Sequence, residues 1–242
     1  LAAPLYKKVI LKLSGEVLGS SSNNGIDTVF IARVLKQVRE VMALGTSVGI
    51  VVGGGNILRG CESGGSGLTR VTADNIGMLG TVINGLAIRD VGRREGLEVV
   101  VMSPIPVGTL AAAYNPDRAT EHLASGGVVV FAGGTGSPFF TTDTAAAIRA
   151  AETGADVLLK ATKVDGVYSA DPMVDSGATR FERLSFREAL DLRLSFMDRP
   201  ALSLCEDRNI PVVVFNVHED DSIKRVVLGE LIGTIVEGVS ND

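Results

Sequence analysis

Cysteine is nearly absent from the 242 residues: Cys61 and Cys205 are the only two, and their spacing fits neither a disulfide framework nor a CxxC metal or redox site. Both read as small residues of a loop and a helix, in a chain suited to a reducing compartment. Histidine is equally scarce. With only His122 and His218, neither a histidine-rich metal cluster nor a Ser-His-Asp triad is easily assembled, which disfavours hydrolase chemistry. An excess of basic charge is missing too: the formal net charge of −5 argues against a general grip on nucleic acid and leaves only local basic spots for a phosphorylated small molecule. The longest apolar runs, such as Val48–Val52 and Val128–Ala132, are bounded by glycines and too short to span a bilayer. The first residues carry no signal-peptide pattern, although a start at Leu1 leaves room for a trimmed segment. The expectation is a soluble, cytoplasmic protein without a membrane or nucleic-acid partner. Two phosphate-binding signatures are also missing. The Walker A pattern is absent and no glycine loop spells a clean GxGxxG after a strand, so neither a P-loop kinase nor a Rossmann dehydrogenase is supported.

What is present is an alternation of short β-branched runs with longer segments of helical period, the pattern of a mostly parallel sheet covered on both faces by helices. Strands are expected at Val9–Leu13, Ser47–Val52, Glu98–Met102, Val128–Ala132, Val157–Leu159, Val212–Phe215 and Thr234–Val236. Between them, Asp27 reads as the N-cap of a helix whose buried stripe is Phe30, Val34, Val38 and Val41. Further helices are expected over Thr72–Glu95, after the Asn115–Pro116 start, over Thr141–Thr153 with Gly154 as its stop, and near Ser185–Leu192 and Asp198–Asn209. A hairpin or loop passes through Asp171–Pro172. No linker or repeat divides the chain, which predicts one domain over 1–242 with two lobes, 1–159 and 160–242, and a cleft between them.

Four segments could carry chemistry, each beside a plain structural reading. Lys12-Leu13-Ser14-Gly15 ends the first strand with a lysine that could reach β- and γ-phosphates and a turn offering backbone N–H groups; alone, it is an edge charge at a turn. Gly53-Gly54-Gly55-Asn56 follows a buried strand, where consecutive amides could approach a transferring phosphoryl group, with Arg59 nearby to neutralise charge; the plain reading is a flexible turn and a surface arginine. Gly133–Asp143 contains two aromatics, free hydroxyls and a helix start, which describes either a capped helix or a pocket for a base and a phosphate. In the pocket reading, Asp143 aims lysine ammonium groups. Lys160–Tyr168 with Ala170-Asp171-Pro172 combines a lysine for phosphates, Tyr168 for adenine, and Thr162 and Asp171 for its edge or the ribose, against a charged solvated hairpin.

Taken in order, KLSGE at Lys12–Glu16, VVGGGNILRG at Val51–Gly60, TADNIGMLGTVINGLA at Thr72–Ala87, GGTGSPFFTTD at Gly133–Asp143 and KATKVDGVYSADP at Lys160–Pro172 closely resemble the bacterial-type UMP kinases of the amino-acid kinase superfamily, from about Tyr6 to Glu237. The resemblance implies a three-layer α/β/α sandwich and transfer of the γ-phosphate of ATP to UMP in pyrimidine nucleotide biosynthesis. It implies an ATP site at Lys12, Leu13, Ser14, Gly15, Gly55, Arg59, Thr162, Tyr168 and Asp171. The implied UMP site is Gly54, Asp74, Thr135, Gly136, Ser137, Pro138, Phe139, Phe140, Thr141 and Thr142, with Asp74 on the ribose. Lys12, Asp143, Lys160 and Arg59 form the implied catalytic group. Mg²⁺ on ATP, a homohexamer, activation by GTP and inhibition by UTP are implied as well. Two departures stand out: Ser137 replaces an asparagine common in the family beside uracil, and Ser20–Asn24 replaces a more glycine-rich turn in a region associated with GTP activation. The competing reading is a non-catalytic nucleotide-binding or storage relative on the same fold.

Overall fold

The computed structural model describes residues 3–19, 25–57, 67–172, 174–175 and 177–238. The first half runs β1 (Lys8–Leu13), α1 (Gly15–Leu18), α2 (Thr28–Ala43), β2 (Ser47–Val52), α3 (Arg70–Arg94), β3 (Val99–Ser103), β4 (Ala112–Ala113) and α4 (Pro116–Ala124). It continues with β5 (Val128–Phe131), α5 (Thr142–Thr153), β6 (Val157–Thr162), β7 (Val167–Tyr168), β8 (Arg180–Phe181) and β9 (Arg183–Ser185). The chain closes with α6 (Phe186–Asp191), α7 (Arg199–Asp207), β10 (Val212–Asn216), α8 (Ser222–Val227) and β11 (Thr234–Glu237). Nine strands form one sheet in the order β4-β3-β5-β2-β1-β6-β10-β11-β9, and only the β10–β11 pair is antiparallel. Strands β7 and β8 pair separately as a small antiparallel ladder.

Alternation along the strands sends side chains to two apolar layers. Val9, Leu11 and Leu13 of β1 pack with α2, α3 and α8, whereas Ile10 faces the layer built from α4, α5, α6 and α7. This is the α/β/α sandwich with a mostly parallel sheet that the sequence pattern predicts. Local signals set the helix ends. Asp27 accepts a bond from Phe30 N–H at 2.9 Å, Asn115 accepts from Arg118 N–H at 2.9 Å, and Gly154 closes α5 in the left-handed region at φ 63°. One strand extends well beyond expectation at its charged end: β6 continues past Leu159 through Lys160 to Thr162, because that lysine is buried and paired rather than released to solvent. Residues 159 and 160, on either side of the expected lobe boundary, therefore lie inside a strand hydrogen-bonded on both sides, and β1 and β10 belong to one sheet with it.

Helix α3 is long and apolar enough, by length and composition alone, to cross a membrane. It lies instead along the sheet, with Val82, Ile88 and Val91 in the core and two polar side chains on its buried side. Asn84, fully buried, donates to the Gly53 carbonyl and to Asn56 Oδ1, each at 2.7 Å, and accepts from Asn56 Nδ2 at 3.0 Å. Asn56 in turn donates to the Gly25 carbonyl at 3.0 Å. One turn earlier, Thr81 accepts from Gly133 N–H at 2.6 Å. One helix thus fixes the turns that follow both β2 and β5. Replacing Asn84 by Ala is expected to lower the unfolding free energy by about 2 kcal/mol, because the Gly53 carbonyl and the Asn56 amide lose a buried partner. Urea denaturation checks this, and an unchanged midpoint would show that the amide pair contributes nothing.

Candidate active site

The strand register brings two lysines side by side. Lys12 of β1 and Lys160 of β6 are direct partners in the parallel ladder, and both point with Ile10 and Leu158 toward α5. They are only 7% and 8% exposed. Like charges ~5 Å apart repel by about 3 kcal/mol at an effective dielectric of ~20, so two buried ammonium groups need an anion between them. Asp143, in the first turn of α5, supplies it. Lys160 Nζ donates to Asp143 Oδ2 at 2.5 Å, and Lys12 Nζ stands 2.8 Å from Oδ1 in an ion pair that lacks hydrogen-bond alignment. Burial works to raise Asp143, yet the two lysines outweigh it and hold its carboxyl below the usual carboxylate value. Burial and the neighbouring Lys12 push Lys160 down to about 8, against the pull of Asp143 and Asp198.

The first turn of α5 is itself held in place. Thr141 caps the helix by accepting from Asp143 N–H at 3.0 Å, and its hydroxyl donates to Asp198 Oδ2 at 3.0 Å. Thr144 donates to the same oxygen at 2.6 Å, while Asp198 Oδ1 is buried without a hydrogen-bond partner. Opposite this turn, the ends of β1 and β2 pack backbone against backbone. A Cβ on Gly15 would overlap the Gly55 nitrogen, and one on Gly53 would stand 2.5 Å from the Gly15 nitrogen. Gly54 lies as close to α3, where a Cβ would be 2.5 Å from the Gly77 carbonyl oxygen; among the described residues nothing stands within 4 Å of a Cβ on Gly55. The loop after β5 is tied to α3 by Asp74, which accepts from Phe139 N–H at 2.8 Å and receives Arg70 Nε at 2.9 and 3.0 Å. That bond holds Phe139 at φ 74°, a region that disfavours a bulky side chain. Its ring is 64% exposed and that of Phe140 51%.

The chain is similar in sequence and fold to several known proteins. The profile of the amino acid kinase family matches residues 7–216. Uridylate kinases of two Pseudomonas aeruginosa strains, PAO1 and UCBPP-PA14, are each 47% identical over 234 residues, covering 97% of this chain and 96% of theirs. The chain belongs to the amino acid kinase family. Within it, the crystal structure of the UMP kinase from Bacillus anthracis superposes with a TM-score of 0.93 at 39% identity, covering 97% of each chain. The UMP kinase from Ureaplasma parvum gives 0.89 at 35% identity, covering 96% of this chain and 98% of its own, and the uridylate kinase from Archaeoglobus fulgidus 0.74 at 30% identity, covering 95% and 99%.

On this amino acid kinase scaffold Lys12, Ser14, Gly15, Gly54, Gly55, Thr135–Thr142, Lys160 and Thr162 lie at or just past the carboxyl ends of parallel strands, whereas Asp74 is on α3 and Tyr168 and Asp171 are in the separate β7–β8 segment. Leu13 is buried toward α2, so only its backbone faces the site, and Ser14 and Gly15 open α1. Thr162 ends β6, where its hydroxyl is already engaged, donating to the Val164 carbonyl at 2.7 Å and accepting from Val164 N–H at 3.1 Å. Tyr168 lies in β7 with its hydroxyl donating to Asp165 at 2.8 Å, and Asp171 sits on the connection to β8. Thr135 folds onto its own loop, donating to the Ser137 carbonyl at 3.0 Å and accepting from Ser137 N–H at 3.1 Å. Gly136, Pro138 and Phe140 continue that loop, and Thr142 is the first residue of α5. Arg59, Cys61 and Ser20–Asn24 lie outside the described residues. Three anchors escaped the sequence reading: Asp198, which reads as the cap of α7 but serves α5, and Asn84 and Thr81, whose signal is polarity on the apolar stripe of a long helix.

Because kcat/KM reports the free enzyme, loss of the Lys160 proton predicts a falling limb as pH rises through about 8. In kcat the limb moves upward, since bound phosphates favour the charged lysine. Rates between about pH 6 and pH 10 check this, and a flat kcat/KM would show that the Lys160 charge is not needed.

Proposed function

We propose that the chain is a UMP kinase, transferring the γ-phosphate of ATP to UMP to give UDP and ADP for pyrimidine nucleotide biosynthesis. The carrying observation is the pair of buried lysines bridged by Asp143, facing glycine turns at the strand ends, in a chain 47% identical to named uridylate kinases. A phosphate oxygen of UMP attacks the γ-phosphorus, the bond to the β–γ bridging oxygen breaks, and ADP leaves. The UMP phosphate is already ionised near neutral pH, so no general base is required. Lys12, Lys160 and the amides of Gly53–Gly55 spread the charge of the transferring group, and Asp143 keeps both ammonium groups aimed. Arg59 belongs to this charge-neutralising set by its place four residues past Gly55.

We assign ATP to Lys12, Leu13, Ser14, Gly15, Gly55, Arg59, Thr162, Tyr168 and Asp171, within the lobe 160–242 and the adjoining strand ends. UMP is assigned to Gly54, Asp74 and Thr135–Thr142 in the lobe 1–159, where the Asp74 carboxylate would accept from ribose hydroxyls. Among the described residues no group of three or more Asp, Glu, His or Cys stands ready for a metal, so Mg²⁺ would arrive on ATP. Asp198 Oδ1, buried and unpartnered, fits as acceptor for one of its waters, and the ion would supply neutralisation of phosphate charge. Leu79 and Ile83, one turn apart on α3 and 48% and 44% exposed, form a strip that supports self-association, and we propose the homohexamer. A hollow of about 880 Å³ whose walls carry Arg93 and Arg118 alongside Glu98 and Glu121 offers room for GTP as activator, with the two arginines as partners for its phosphates, while UTP, sharing base and ribose with UMP, would inhibit at the acceptor site. The cytoplasm is the proposed location. The non-catalytic alternative is disfavoured by Lys12, Asp143 and Lys160 being present and in contact.

ADP release from Mg-ATP, with UMP, CMP, dUMP and acetylglutamate as separate acceptors and GTP or UTP added to the UMP reaction, tests this reading. Release that depends on UMP, with little from CMP or acetylglutamate, is expected. Preference for another acceptor would move the chain elsewhere in the amino acid kinase family.

A further inference from the structure

The β7–β8 hairpin carries Tyr168 and Asp171; Val167 and Phe181 pack it onto the core, and one buried side chain of the main sheet bonds to both of its strands. Val167 and Phe181 are opposite residues in its ladder. Thr234, the first residue of β11, has no exposed surface; its hydroxyl accepts from Val167 N–H at 2.8 Å and donates to the Phe181 carbonyl. A single hydroxyl therefore holds both strands of the hairpin. Two missing side chains allow the approach. A Cβ on Gly166 would stand 2.6 Å from Thr234 Oγ1, and one on Gly233 would overlap the Val214 carbonyl oxygen. Beyond the hydroxyl, Ile235 N–H donates to the Glu182 carbonyl at 3.0 Å and leads the chain into β9.

The register gives this contact its reach. Lys12 pairs with Lys160, Lys160 with Val214, and Val214 with Thr234, so both lysines and the hydroxyl occupy one row across four adjacent strands. We propose that Thr234 is a positioning residue for ATP: its hydroxyl sets the hairpin against the same row that holds the lysines, and so fixes Tyr168 and Asp171 relative to Lys160. The proposal rests on the assignment of that hairpin to ATP. Valine at 234 keeps the shape of the side chain and its packing in β11 but removes the hydroxyl from Val167 N–H and the Phe181 carbonyl, which loosens the hairpin and not the acceptor loop.

With Thr234→Val in the full chain, KM for ATP is expected to rise about tenfold, while kcat at saturating ATP and KM for UMP stay within about twofold. Thr234→Ser, which restores the hydroxyl, is expected to return KM for ATP to the wild-type value. An unchanged KM for ATP, an equal rise in both KM values, or failure of serine to rescue would overturn the proposal. Tyr168→Ala separates the two levels. If it leaves KM for ATP unchanged, the ATP assignment fails and the proposal with it; if it raises KM and Thr234→Val does not, only the proposal fails. Should the valine variant not fold, amide exchange in the wild type decides: Val167 N–H is expected to exchange as slowly as the strands of the main sheet, and exchange at loop rates would remove the tether.

Discussion

Two lysines on neighbouring strands stay charged in a nearly dry space only while a carboxylate stands between them, and the requirement reaches through the whole chain. Lys12 and Lys160 meet because β1 and β6, far apart in sequence, are adjacent and in register. Asp143 reaches both because α5 begins beside the ends of these strands, and it begins there because Thr141 and Thr144 are bonded to Asp198 from another helix. The triad of Lys12, Asp143 and Lys160 carries a net positive charge, which is what a site for two phosphorylated substrates needs before either arrives. A P-loop places its lysine on a helix behind a glycine loop; here the lysines are held rigidly by the sheet and the glycine turns come to them.

The glycines do two kinds of work. Gly15, Gly53 and Gly54 are bare because backbones must touch one another, whereas no described residue crowds a Cβ on Gly55, which suits its proposed place against ATP. Fixing these turns falls to α3. Its buried Asn84 and Thr81 hold the turns after β2 and β5, and its Asp74 holds the loop before α5. In the proposed reaction the bond from Phe139 N–H to Asp74 engages the carboxylate expected at the ribose, so UMP would meet an acceptor site already drawn together. Cys205, fully buried in α7, takes no part: burial, with Asp143 and Asp198 nearby, pushes its thiol up to about 12.

Much of this was legible in sequence where a local signal dominated. The stripes and caps of α2, α4 and α5 and the apolar strands follow from periodicity and turn chemistry, and Lys12, Asp143 and Lys160 stand out once their segments are set side by side. Legibility failed where long-range pairing overrode local rules. Lys160 reads as leaving its strand because a charge interrupts an apolar run, yet its ion pair keeps it inside β6. Asp198 has the look of an ordinary helix cap, but makes no side-chain cap bond and serves the neighbouring helix. The short elements α1, α8, β4 and β7–β9 have too few residues to carry a period.

The central claim is that Asp143 works by holding two lysine charges on the transferring phosphate. Steady-state kinetics of Asp143→Asn, which keeps the shape and removes the charge, tests it most directly. With the far-UV spectrum unchanged, kcat for UMP phosphorylation should fall by roughly 10²–10³ while the KM values for ATP and UMP change by no more than about threefold. A kcat near that of the wild type would contradict the account.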